Sequence, residues 1–130
     1  MLVIDASMAV DCATHDDGFA WFDGHELVGP ELLWSEVRST LHEARWRGHL
    51  SSELTDLARR RFAAAPIALR SLPSADEESW VIADELGLAK TYDAEYLALA
   101  RLLGCRVVTV DARLRRGADR LGLVVGPTEL

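Results

Sequence analysis

Two short apolar runs in this chain each end on an aspartate. "LVI", residues 2–4, meets Asp5, and "RVVTV", residues 106–110, meets Asp111. Continuous apolar runs of this length suit strands buried on both faces. Strands of this kind are common in parallel sheets, whose strands need long crossovers between them, usually helices. The intervening sequence supplies the helices. "DDGFAWF", residues 16–22, is consistent with a short helix whose first turn is acidic. Pro30 is placed to open a helix that ends near Gly48. Ser51 or Ser52 caps a second, "ELTDLARRRFAAA", which stops before Pro66. "IAL", residues 67–69, reads as a short strand. "SADEESWVIADELG" opens with a capping box, Ser74 with Glu77, and closes on Gly87. A further helix runs from about Asp93 to Leu103 with Gly104 behind it, and "GLVVG", residues 122–126, reads as the last strand. This alternation implies the α/β class, with a central parallel sheet covered on both faces. Without repeats or a linker, the 130 residues are expected to form one domain, residues 1–130.

In such a sheet, sites form beyond the carboxyl ends of the strands, and that rule selects residues. Asp5 and Asp111 each follow a strand directly, so neighbouring strands would bring both carboxylates to one crevice. Asp93 opens a helix, and a helix running back antiparallel to the strands starts at the same end of the sheet. An aspartate at any of these positions is also ordinary punctuation, a turn or a cap. Glu36 is harder to explain locally. Leu33, Val37, Leu41 and Ala44 make the apolar stripe of its helix. At roughly 100° per residue, Glu36 sits about 60° from Leu33, on the margin of that stripe. From there a carboxylate can reach a cleft while its helix packs on the core; pairing with an arginine is the plainer alternative.

Four carboxylates on one cleft repel one another unless a cation neutralises them. Hard oxygen donors of this kind suit Mg²⁺ or Mn²⁺, and such an ion activates water for attack on a phosphodiester. Ser7 and Thr109 lie two residues from Asp5 and Asp111. Their hydroxyls can orient a carboxylate or a bound water, or simply bond nearby backbone.

In this order and spacing, "LVIDAS", "PELLWSEVRSTL", "TYDAEYLALA" and "VVTVDARL" resemble the PIN-domain ribonucleases, most closely the VapC-type toxins of bacterial toxin–antitoxin pairs. The resemblance runs from the first strand to the last and is weakest from Glu53 to Pro73. It implies a three-layer α/β/α sandwich and an acidic pocket for Mg²⁺ or Mn²⁺. Matched residue by residue, the catalytic and metal-binding acids would be Asp5, Glu36, Asp93 and Asp111, with Ser7 and Thr109 in support. It further implies a toxin that cleaves RNA, commonly tRNA or rRNA, by metal-activated water. A cognate antitoxin would restrain it, and the toxin would form a homodimer.

Charge bears on the RNA expectation. The formal net charge is −7, unusual for a nucleic-acid enzyme, although the metal site accounts for part of it. Thirteen of the fourteen basic residues are arginines, whose planar fork suits phosphate. Arg113, Arg115 and Arg116 follow Asp111 closely and are candidates for contact with the RNA backbone, with a solvated loop as the alternative. Arg59 to Arg61 read as the solvent face of their helix. Trp21, Trp34, Trp46 and Trp80 are each expected in the core, with anchoring of an antitoxin or second subunit as the alternative. The histidines share no motif. Cys12 and Cys105 lack C-x-x-C spacing and read as reduced, buried thiols. No apolar run approaches the ~20 residues of a membrane span. "MLVID" is not the start of a secretory signal, so a cytoplasmic location is expected.

Two other classes fit less well. One is a different metal-dependent phosphoryl-transfer domain. A receiver would carry a lysine late in the sheet, yet Lys90 is the only lysine and precedes a helix. An aspartyl phosphatase would show D-x-D where this chain has Asp5-Ala6-Ser7. The other is a non-catalytic interaction module with merely structural acids. No G-x-G-x-x-G follows the first strand, which argues against a dinucleotide site.

Overall fold

The computed structural model describes residues 1–130. Five short strands alternate with six helices: β1 (Leu2–Ile4), α1 (Ala6–Ala13), β2 (Leu27–Gly29), α2 (Leu32–Trp46), α3 (Ser52–Ala63), β3 (Ile67–Leu69), α4 (Ala75–Leu86), α5 (Tyr92–Leu103), β4 (Arg106–Val108), α6 (Ala112–Ala118) and β5 (Val124–Val125). The strands form one sheet in the order β3-β2-β1-β4-β5, and every pairing is parallel.

Right-handed crossovers then fix the layers. From β1 to β3 the chain moves across the sheet in one direction, which puts α1, α2 and α3 on one face. It then returns past β1 to β4 and β5, which puts α4, α5 and α6 on the other. The contacts agree. The first three helices touch one another, while α5 packs on α4, β1 and β4. The result is a three-layer α/β/α sandwich, and the strand order reverses between β1 and β4.

Between these layers sits one apolar core that includes Val3, Ile4, Met8, Leu33, Val37, Leu41, Ile82, Leu97 and Val107. Each fully buried side chain of this size contributes about 1.5–3 kcal/mol. The central strand β1 is buried throughout. In α5, every residue from Tyr96 to Ala100 is buried, so this helix lies deepest of the six.

Several local expectations change. The strand expected over residues 106–110 ends at Val108; Thr109 still donates its N–H to Val125 at 3.1 Å, but Val110 is exposed. Pro30 precedes α2 rather than opening it, because Glu31 takes the N-cap position. Ser51 caps α3 by accepting from the Leu54 N–H at 3.1 Å. The capping box at Ser74 does not form, since its backbone is already helical and its hydroxyl makes no cap bond. None of the four tryptophans enters the core; Trp46 is 83% exposed and Trp80 66%. The α1 helix, β2 and α6 add elements that the apolar runs did not announce. Cys12 is buried, Cys105 is half-buried, and both are free thiols. No helix is long and apolar enough to cross a membrane.

Candidate active site

The crevice beyond the carboxyl ends of β1 and β4 is built by two tight turns. In the first, β1 ends at Ile4 and Asp5 caps α1, its Oδ1 accepting from the Met8 N–H at 2.9 Å. In the second, Asp111 caps α6, its Oδ1 accepting from the N–H groups of Arg113 (2.9 Å) and Leu114 (3.2 Å). Both aspartates are therefore punctuation in the usual sense. Two hydroxyls bind the turns together. Ser7 Oγ reaches both Asp5 oxygens, at 2.9 and 3.1 Å, and Thr109 donates to Asp5 Oδ2. Thr109 Oγ1 in turn accepts the Asp111 N–H at 3.0 Å, and Ser7 Oγ accepts the Val110 N–H at 3.3 Å. The two hydroxyl oxygens are 3.0 Å apart. Ser7 and Thr109 thus do both things open to them, holding a carboxylate and bonding nearby backbone.

Two further carboxylates come from helices. Glu36 lies on α2 just past its first turn, after β2, and Asp93 lies in the first turn of α5, which runs back antiparallel to the sheet. Both are half-buried. The four acids feel one another. Burial pushes the Asp5 carboxyl above its ordinary range despite its hydrogen bonds, and the charge of Asp111 adds to that. Burial also raises Asp93, again with Asp111 adding and only Arg113 opposing. Glu36 is raised by burial first and then by Asp93; the Tyr96 hydroxyl opposes this, and Asp5 adds less. No ion pair reaches any of the four. The negative charge on this crevice is therefore held without an ion pair, and Arg113 alone offsets it from a distance, at Asp93.

That donor set consists of hard oxygens alone, with no thiol or imidazole, and fits a small divalent cation such as Mg²⁺ or Mn²⁺. No three acidic side chains converge tightly enough to chelate an ion as arranged. Mg²⁺ does not require that, since it keeps several waters and takes one or two carboxylates directly.

Around the crevice the arginines differ. Arg113 lies close enough to Asp93 to draw its proton affinity down, and both line a cavity of about 460 Å³ with Lys90. Arg115 is held by Glu129 in the last turn of the chain. Arg116 is exposed and unpaired. One residue near the acids went unread in the sequence. Tyr96 is only 1% exposed, and its hydroxyl is the one buried side-chain polar atom without a hydrogen-bond partner. Its spacing of three from Asp93 puts both on one side of α5, but an aromatic within an apolar helix is ordinarily core.

A second depression, of about 480 Å³, opens between α2 and α3 on the other margin of the α2 stripe. Trp34 and Phe62 meet edge-on there at 4.7 Å. Arg38, Arg59 and Arg60 surround them with Asp56, and none of these arginines is ion-paired. Arg59 and Arg60 are exposed, as expected for a solvent face. Arg61 instead turns inward to the Ala13 carbonyl at 3.2 Å and to Asp16.

Comparison with known proteins bears on family and fold. The family model described as PIN domain matches residues 2–120. The VapC ribonuclease Mb0985 of Mycobacterium bovis is 33% identical over 116 residues, covering 88% of each chain. Ribonuclease VapC9 of Mycobacterium tuberculosis matches to the same extent. Among solved structures, PAE2754 from Pyrobaculum aerophilum superposes with a TM-score of 0.75 at 23% identity. The match covers 98% of this chain and 90% of that one, a likeness of fold.

Proposed function

The chain belongs to the PIN-domain family, with VapC ribonucleases among its relatives, and from that premise we propose that it is the endoribonuclease toxin of a toxin–antitoxin pair. The observation that carries the reading is the crevice at the strand-order reversal, where Asp5, Glu36, Asp93 and Asp111 gather without an ion pair to any basic side chain.

In this reading Asp5, Glu36, Asp93 and Asp111 hold Mg²⁺ or Mn²⁺, with Mg²⁺ the expected resident. The bound ion supplies Lewis acidity, which makes water nucleophilic near neutral pH and stabilises charge building on the phosphodiester. The protein's own part is positional. Ser7 and Thr109 pin Asp5, so its carboxylate needs no reorganisation when substrate arrives. Arg113, exposed beside Asp93, and Arg116 are free to meet RNA phosphates without reading sequence. Arg115 would first have to leave Glu129.

RNA is the substrate class, with tRNA or rRNA the expected targets. The groove between α2 and α3 suits the antitoxin, because an apolar floor with an arginine rim fits an acidic amphipathic segment. A homodimer and a cytoplasmic location complete the proposal.

The test is direct. Purified protein given total RNA and Mg²⁺ should cleave it at discrete positions, stop with chelator, and lose at least about 100-fold in rate in Asp5→Ala or Asp93→Ala. Cleavage that survives both chelator and Asp5→Ala would remove the metal mechanism.

A further inference from the structure

The Tyr96 hydroxyl is the feature of the site that the roles assigned so far leave unexplained. It is fully enclosed, yet no acceptor stands at hydrogen-bonding geometry. An orphaned buried hydroxyl destabilises a fold relative to a paired one. A phenylalanine would fill the same space without that penalty. The tyrosine does not sit at random. It lies on α5 one turn beyond Asp93, and the acids it feels most are Glu36 and then Asp5. The hydroxyl lies beside the Glu36 carboxylate and lowers its proton affinity as a hydrogen-bond donor does, but the contact lacks the geometry of a well-formed bond.

Glu36 has no other side-chain donor, whereas Asp5 has Ser7, Thr109 and the Met8 N–H, and Asp111 has two backbone N–H groups. We infer that Tyr96 is a positioning residue, whose buried hydroxyl donates to the Glu36 carboxylate in the loaded site and fixes the orientation in which that carboxylate serves a divalent cation. The inference rests on the metal-dependent reading of the crevice. Oriented carboxylates of this kind rely on such outer partners, whose removal commonly lowers metal affinity or activity about 10–100-fold.

Tyr96→Phe tests it, since it deletes one oxygen and keeps the ring. Mn²⁺ binding to the purified protein, followed by calorimetry, should weaken about 10-fold in Tyr96→Phe. Its metal-free melting temperature should stay equal or rise by about 3 °C or more. The same change made in Glu36→Gln should add less than about twofold, because the group it positions has been altered. Mn²⁺ affinity in Tyr96→Phe within twofold of the wild type, with wild-type binding intact, overturns the inference and leaves the nuclease reading standing. A lowered metal-free melting temperature together with unchanged affinity would make Tyr96 plain core and also overturn it. Wild-type protein that binds no Mn²⁺ overturns both.

Discussion

Asp93 shows how one side chain can serve local structure and chemistry at odds with each other. Its carboxyl is raised by burial and by the charge of Asp111, and Glu36 is raised by burial and by Asp93. A raised carboxyl pKa means that the folded protein holds the proton more tightly than the unfolded chain. Ionisation therefore opposes folding. The penalty is absent below the unfolded value and complete once pH exceeds the folded one. Asp93→Asn and Glu36→Gln should accordingly raise the metal-free melting temperature at neutral pH by up to a few degrees, since solvent screens these half-buried groups in part. The gain should shrink as pH falls through the carboxylate range. Excess Mg²⁺ should reverse the order, because an ion at about 100 times its dissociation constant stabilises the wild type by ~2.7 kcal/mol. Amide variants that melt below the wild type without metal would show that these acids are structural. At this scale the four acids were legible, since each stood at a strand end, a helix start or a stripe margin. Tyr96 was not, because its place in the run from Tyr96 to Ala100 makes it look like any buried aromatic.

At the scale of elements, the helices with strong boundaries were legible and the short elements were not. The α3 helix has its Ser51 cap, and α4 and α5 close on Gly87 and Gly104, which adopt the left-handed conformation glycine favours. The α1 helix covers only eight residues, and its N-cap is the same Asp5 whose chemistry dominates a sequence reading. Strand β2 has three residues ending in Gly29, too few for periodicity to register. The segment between α1 and β2 is short but closely fitted. Gly18 opens a 3-10 turn packed so tightly on the end of α1 that a Cβ there would lie 2.2 Å from the Cys12 carbonyl oxygen. That oxygen is backbone and cannot swing aside. Gly18→Ala should therefore destabilise the fold by at least about 2 kcal/mol in urea unfolding, although the residue touches none of the acids. An unchanged midpoint would mean that α1 ends more loosely than this packing implies.

Across the whole molecule, the tension lies between a net charge of −7 and an RNA substrate. Ionic strength decides which charges the RNA senses. The screening length is about 30 Å at 0.01 M salt and ~8 Å at 0.15 M. In dilute salt the approaching RNA feels the full negative molecule; near physiological salt it feels mainly nearby groups such as Arg113 and Arg116. At fixed Mg²⁺, kcat/KM for RNA cleavage should therefore hold level or rise as KCl goes from about 10 to about 100 mM. The steep fall typical of basic nucleic-acid binders would mean that a local cationic surface outweighs the total. The partial exposure of all four indoles has a separate consequence. Trp34 alone sits in the groove between α2 and α3, whereas Trp46 and Trp80 stand well out in water. The free protein should fluoresce as water-exposed tryptophan does, and an occupant of that groove would shift the emission of one indole in four. The chain carries a native optical probe for its partner, and Trp34→Phe is its blank.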